Sequence, residues 1–116
     1  MPQTQGLQPG NYAVYLEGEC YRHALLVSAG THQDGKRRWL VLGYGGVCAL
    51  VDEDKLKPIA LDYAPKVGTV VSVAWLGTMV PGRVTAVDTA GTFTVRRERV
   101  AAALVVGPGL FMPPSS

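Results

Sequence analysis

The 116-residue chain has no long hydrophobic run, no signal-like start and few cysteines. The longest uncharged apolar stretch near its C-terminus, residues 100–106, is far shorter than a membrane-spanning helix. The opening MPQTQGLQPG has neither the basic nor the apolar segment of a secretory signal, so we expect no secretion. The two cysteines, Cys20 and Cys48, form no CxxC pair and complete no familiar zinc pattern with His23 or His32. The sequence therefore predicts reduced thiols, no metal site and no cofactor.

The net charge of +2 is too small to predict nucleic-acid binding by itself. Hydrophobic residues make up 47% of the chain and charged residues 17%, which favours a folded protein over a disordered one. Charge is nevertheless clustered, with basic runs at 36–38 and 96–99 and an acidic run at 52–54. These clusters are consistent with solvated surface charge, and also with a basic rim that attracts phosphate or an acidic tail.

The sequence has almost no pattern typical of a long helix, and short strand-like runs recur between Gly, Pro, Asn and Asp residues. This spacing predicts antiparallel strands that close into small barrels, with one short helical turn over 52–56. Nine strands are predicted, over residues 11–16, 21–28, 37–42, 46–51, 57–61, 69–76, 83–87, 92–97 and 102–106.

The two halves of the chain repeat one pattern at a period of about 60 residues, in which Tyr15 and Trp75 take equivalent places. Each half is too small to build a generous core alone. We therefore predict an all-β fold of two small five-stranded SH3-like barrels in tandem. The linker-like ends indicate a module of a longer chain. The predicted boundaries are an N-terminal linker 1–9, barrel 1 at 10–61, a connector 62–67, barrel 2 at 68–110 and a C-terminal tail 111–116.

Four segments of the first half carry a resemblance to a known family: NYAVY (11–15), CYRHALLV (20–27), WLVLGYGG (39–46) and DKLKPI (54–59). In order and spacing they resemble the Tudor family of methyl-ligand-binding barrels. The second half resembles a degenerate copy through VVSVAWLG (70–77), PGRVTAV (81–87) and GTFTVRRE (91–98). The tandem arrangement is similar to the paired Tudor modules of chromatin proteins, which implies a nuclear location.

The resemblance implies an aromatic cage formed by Tyr15, Tyr21 and Tyr44. Two positions depart from the family pattern, since Leu42 stands where many members have Phe and Gly43 stands where they have Asp. The segment YRHA also has one residue more than the family's Tyr-Arg-Ala. A one-residue slip in a strand exchanges its two faces, so this difference would turn Tyr21 away from the cage.

In such a cage the electronegative ring faces surround a methylated ammonium, and each ring contributes about 0.5–2 kcal/mol. A neighbouring carboxylate accepts a hydrogen bond from any remaining N–H and so slightly favours mono- and dimethyl-lysine. The second barrel has Val80 and Val95 where rings are expected, which implies an incomplete cage. The predicted partner is a methylated histone peptide. Candidates for the cage carboxylate or for peptide contacts are Glu17, Glu19, Asp52, Asp62 and Trp75.

Three other classes of function differ in the residues that they require. No catalytic triad, paired carboxylates or GxxxxGK[ST] motif is present, so we do not expect an enzyme. The glycines around Tyr44 precede no helix pattern, which favours a tight hairpin at Gly45-Gly46 over a phosphate loop. A nucleic-acid-binding pair of SH3-like barrels, contacting DNA or RNA through the basic clusters, remains open. So does an adaptor that binds an unmodified peptide.

Overall fold

The computed structural model describes residues 6–114, which contain ten β-strands, two 3₁₀ helices and no α-helix. The all-β prediction is therefore confirmed. No helix in this range is long and apolar enough to span a membrane. The strands are β1 (Tyr12–Glu17), β2 (Cys20–Thr31), β3 (Arg37–Leu42), β4 (Cys48–Asp52), β5 (Leu56–Pro58), β6 (Val70–Trp75), β7 (Thr78–Val87), β8 (Phe93–Arg97), β9 (Ala103–Val106) and β10 (Phe111–Met112). The 3₁₀ helices are Tyr44–Gly46 and Glu53–Lys55.

The chain divides into two compact units. Unit 1 comprises the described residues up to Ile59 together with Leu76–Thr78. Unit 2 comprises Ala60–Trp75 and the described residues from Met79 onward. Each unit thus holds five strands, apart from the first residue of β7, Thr78, which belongs to unit 1.

Unit 1 is an antiparallel sheet with the strand order β5-β1-β2-β3-β4. Alternation along β3 turns Trp39 and Val41 inward, where they join Ala24 and Leu26 in the core. The twelve-residue strand β2 changes register between Leu26 and Ser28. A bulge at this point bends the strand, which allows the sheet to curl around its core.

Unit 2 repeats this plan with the strand order β10-β6-β7-β8-β9. Its second strand, β7, also carries a register shift, between Val84 and Ala86. A separate core forms around Val73, Val95 and Phe111. The shared strand order and the bulge in each second strand agree with the internal repeat in the sequence.

The structure corrects the C-terminal boundary of barrel 2. Residues 111–116 were predicted to be a tail, but Phe111 is only 2% exposed and pairs with Val73 of β6. Within the predicted connector, Tyr63 packs against the core of unit 2 and Pro65 is buried. The tenth strand was missed because two residues are too short to show an alternating pattern.

The connection between β3 and β4 is longer than the predicted two-residue hairpin. It spans residues 43–47 and includes the 3₁₀ helix Tyr44–Gly46. Hydrogen bonds from the Gly43 N–H to the Val47 carbonyl (2.7 Å) and from the Gly46 N–H to the Gly43 carbonyl (3.2 Å) close it. Gly45 and Gly46 have φ of 76° and 83°, which L-residues rarely adopt, so the glycines are needed here as expected.

Candidate functional site

Tyr15 lies near the end of β1 and faces the interior of unit 1. It is directly opposite Arg22 of β2, and it packs, half-buried, against the core. Burial raises the pKa of the Tyr15 hydroxyl above its ordinary value of 10.0, the charge of Glu17 raises it further, and Arg22 partly opposes this. Tyr15 therefore stays protonated at neutral pH and offers an uncharged ring with a hydroxyl beside a carboxylate.

Tyr21 lies on the opposite face of the same pair of strands. Leu16 is directly across from Tyr21, whereas Arg22 is directly across from Tyr15. Cross-strand partners share a face and successive residues alternate, so the rings of Tyr15 and Tyr21 point to different sides of the sheet. This register separates two of the three predicted cage tyrosines, which is the outcome expected for a one-residue slip in YRHA.

The Tyr21 ring already has a cation near it. The Nζ atom of Lys57 on β5 lies 5.5 Å from the ring centroid. Lys57 is opposite Val14 of β1, two residues before Leu16, so it belongs to the same face as Tyr21. The contact is a cation–π interaction within unit 1.

Tyr44 opens the 3₁₀ helix after β3 and is 63% exposed. Its backbone is held close to the turn at Gly77, where a Cβ added to the glycine would lie 2.6 Å from the Tyr44 Cβ. The Gly77 carbonyl in turn accepts a hydrogen bond of 2.9 Å from the His23 N–H on β2. The backbone and Cβ of Tyr44 are thereby held in place, while its ring stays accessible to solvent.

Tyr15 and Tyr44 lie at the same end of unit 1. Tyr15 is opposite Arg22, and the Gly77 turn that touches Tyr44 is bonded to the next residue, His23. Tyr15 and the backbone of Tyr44 are therefore linked to successive residues of β2, near the β1–β2 turn. We call the surface formed by Tyr15, Glu17 and Tyr44 the tyrosine end of unit 1.

Among the candidate carboxylates of unit 1, Glu17 is the one whose charge raises the pKa of a predicted cage tyrosine, Tyr15. Its Oε1 atom accepts a hydrogen bond of 2.9 Å from Arg22 Nε, in an ion pair whose two side chains are 45% and 60% exposed. Glu19, in the β1–β2 turn, is exposed. Asp52 is the last residue of β4 and accepts a hydrogen bond of 2.7 Å from Arg38, its partner near the start of β3. This position is away from the tyrosine end.

The other two candidate contacts, Asp62 and Trp75, belong to unit 2. Asp62 is exposed. The Trp75 ring is covered by Arg97, whose guanidinium carbon lies 3.7 Å from the ring centroid. Trp75, the aromatic of the second half that matches the family pattern, is therefore already in contact with a cation of its own unit.

Cys20 and Cys48 are both exposed free thiols. No group of three or more His, Cys, Asp or Glu side chains in residues 6–114 is arranged to hold a metal ion.

No protein-family model matches the chain. No curated protein matches it either. Among solved structures it is similar to the tandem Agenet domain 3-4 of ADCP1, with 14% identity, a TM-score of 0.47, and coverage of 95% of this chain and 82% of the other. It is also similar to AGD34 of AGDP1 from Arabidopsis thaliana, with 14% identity, a TM-score of 0.48, and coverage of 95% and 84%.

Independently of these likenesses, the strand pairings show two units of five antiparallel strands with the same order. A more specific origin, in the BAH-domain and coiled-coil-containing chromatin regulator, is not supported.

Two features of the structure were missed in the sequence. In the sequence Gly77 has only the pattern of a turn glycine, and its close approach to the Tyr44 Cβ is visible only in the tertiary structure. Arg83 lies outside the basic run 96–99, yet the register puts it directly opposite Arg96. The pairing next to the turn at Ala90-Gly91, if continued regularly, would place Arg83 opposite Arg97, and the register shift between Val84 and Ala86 moves it opposite Arg96.

Proposed function

We propose that unit 1 binds a methylated lysine of a histone-tail peptide at the tyrosine end. Tyr15 and Tyr44 would place their ring faces against the methylammonium group, each contributing about 0.5–2 kcal/mol. The observation that supports the proposal is that Tyr15 and the exposed Tyr44 both lie beside the same part of β2, with the charge of Glu17 acting on Tyr15. Tyr21 is left out of the proposed site because it faces the other side of the sheet.

Glu17 is the proposed cage carboxylate. Its ion pair with Arg22 is exposed, and exposed pairs typically contribute about 0–1 kcal/mol, so a ligand N–H can compete for the carboxylate. Mono- and dimethyl-lysine keep such an N–H and trimethyl-lysine does not. A slight preference for the lower methylation states follows from this difference.

The biological setting belongs to the same proposal. A reader of methylated histone tails acts on chromatin, so we infer a nuclear location and a role as one module of a larger chromatin protein. Tudor-like tandem modules are associated with this kind of recognition, and the strand order of both units agrees with such a module.

The test is a binding titration of histone-tail peptides carrying unmodified, mono-, di- and trimethyl-lysine, measured by fluorescence anisotropy. We expect a methylated peptide to bind more tightly than its unmodified form. Tyr44→Ala should weaken that binding about 3- to 30-fold, which corresponds to the loss of one ring. Because Tyr44 is 63% exposed, this variant should remain folded.

Tyr21→Ala is the matched control, since it removes the same side chain from the opposite face. It should leave peptide binding unchanged. A loss as large as that of Tyr44→Ala would place the site on the other face. If no methylated peptide binds better than the unmodified one, unit 1 is not a methyl-lysine reader. Glu17→Gln should reduce the preference for mono- and dimethyl-lysine without abolishing binding.

A further inference from the structure

The two units differ in how their arginines are paired. In unit 1, Arg22, Arg37 and Arg38 each form an ion pair with a carboxylate. Within residues 6–114, no arginine of unit 2 forms such a pair. Unit 1 has six basic and six acidic side chains, and unit 2 has five basic and three acidic ones, so the net charge of +2 lies entirely in unit 2.

Four arginines of unit 2 border one cavity of about 830 Å³: Arg83, Arg96, Arg97 and Arg99. A second cavity of about 440 Å³ shares Arg97 and Arg99 with the first and extends to Trp75. Glu98 is the single acidic residue at either cavity. We call this surface the arginine groove. Its net positive charge and concave form favour an anionic ligand.

Two features of the groove cost stability unless an anion is bound. Arg83 and Arg96 are directly opposite each other on β7 and β8, and like charges in this position repel. Arg97 lies on Trp75, and its buried Nε–H has no acceptor within residues 6–114. A buried donor without an acceptor is unfavourable, so both features raise the free energy of the folded protein when no anion is bound.

The turn that follows β8 also holds a residue in an uncommon backbone conformation. Arg99 has a φ of 62°, and the turn is closed by a hydrogen bond of 3.2 Å from the Val100 N–H to the Arg97 carbonyl. Non-glycine residues at positive φ cost about 1 kcal/mol or more and cluster at functional sites. Here the conformation places an exposed arginine at the edge of the cavity.

We propose that the arginine groove binds the phosphodiester backbone of duplex DNA. Planar guanidinium groups match phosphate oxygens well, and several of them along a groove suit a chain of regularly spaced phosphates. The aromatic ring that borders the groove, Trp75, is covered by Arg97. Because Arg97 already occupies a face of this ring where a base could stack, the groove suits a duplex better than a single strand.

This proposal is independent of methyl-lysine binding by unit 1, and its test uses the whole chain. Binding of a labelled duplex of about 20 base pairs is measured by anisotropy at several salt concentrations. Three contacted phosphates give a slope of about −2.7 in log K against log salt. Affinity should therefore fall about 40-fold between about 50 and 200 mM salt.

Two variants probe the groove, and one serves as the control. Arg96→Gln and Arg99→Gly should each reduce the affinity and make the slope shallower by about one. Glycine adopts the positive φ of position 99 without strain, so Arg99→Gly should stay folded. Arg37→Gln removes the same charge from an exposed side chain of unit 1 and should have little effect.

Single-stranded DNA of the same sequence should bind no more tightly than the duplex. The proposal is overturned if duplex binding is absent at low salt, if Arg37→Gln weakens it as much as Arg96→Gln, or if polyglutamate of equal charge binds as tightly. Methylated-peptide binding, followed in the same variants, should not change. A failure of either proposal is thus distinguishable from a failure of the other.

Discussion

At the residue scale, the direction of three tyrosines decides which of them can share the proposed cage of unit 1. Tyr15 and Tyr44 lie at one end, and Tyr21 points to the other face with Lys57 near its ring. All three side chains have the same chemistry, so their separate roles come from strand register and from the position of the β3–β4 connection. The proposed cage therefore has two sides in place of the predicted three.

Gly77 fixes the position of Tyr44, which gives a prediction for a single residue. Gly77→Ala combines a φ of 87° with a Cβ only 2.6 Å from the Tyr44 Cβ, so the tyrosine or the turn must move. We expect a loss of about 2–4 kcal/mol of unfolding free energy, measured by chemical denaturation, and weaker methylated-peptide binding.

The matched control is Gly35→Ala. Gly35 has a φ of 81° but open space where its Cβ would lie, so this variant carries the backbone penalty without the steric clash. It should cost only about 1 kcal/mol and leave peptide binding intact. Equal losses in the two variants would show that the contact with Tyr44 has no effect.

At the scale of elements, the 3₁₀ helix after β4 anchors the core tryptophan of unit 1. Glu53 in this helix accepts hydrogen bonds at one oxygen, Oε2, from Trp39 Nε1 (2.8 Å) and from Arg37 Nε (3.0 Å). Trp39 is 3% exposed, so its indole N–H depends on this acceptor. The acidic run 52–54 thus has a structural role within unit 1, with Asp52 bound to Arg38.

Removing this acceptor should destabilise unit 1. Glu53→Ala leaves the Trp39 N–H without an acceptor, and we expect a loss of about 1–3 kcal/mol in unfolding free energy, followed by chemical denaturation. Glu53→Gln retains an acceptor oxygen and should lose less. Asp54→Ala, at an exposed neighbouring position, is the control and should change stability by less than about 0.5 kcal/mol. Equal effects of Glu53→Ala and Asp54→Ala would contradict this role.

At the scale of the whole molecule, two units with the same strand order have separate cores and different surfaces. Unit 1 has balanced charge and paired arginines, and unit 2 has the excess positive charge and the arginine groove. The two units therefore share a strand order but differ in the charge of their surfaces. The two proposals assign a methylated side chain to one unit and a phosphate backbone to the other.

The core of unit 2 depends on a residue near the end of the chain. Phe111 is 2% exposed and contacts Phe93 and Tyr63 with ring-centroid distances of 4.8 and 6.0 Å. Phe111→Ala should cost about 3–5 kcal/mol, enough to unfold a core of this size. Loss of β-sheet circular dichroism would show it. Pro113→Ala, exposed and just beyond β10, should have little effect. Unchanged stability of Phe111→Ala would restore the tail interpretation.

The sequence by itself determined the all-β class, the five strands of each unit apart from β10, and the glycines of the β3–β4 connection. These features depend on local alternation and on turn chemistry, which short segments express without knowledge of their neighbours. The internal repeat was visible for the same reason, since both halves carry the same succession of strands and turns. Tyr15, Glu17 and Tyr44 could be singled out as candidates because the resemblance rests on local motifs.

Only the tertiary structure decided which of these side chains lie together. Whether Tyr21 shares a face with Tyr15 depends on pairing between β1 and β2, where a shift of one residue reverses the outcome. The contacts of Gly77 with Tyr44, of Arg97 with Trp75 and of Arg83 with Arg96 join residues distant along the chain or paired across strands. Such juxtapositions arise from strand register and bending, which no single segment encodes.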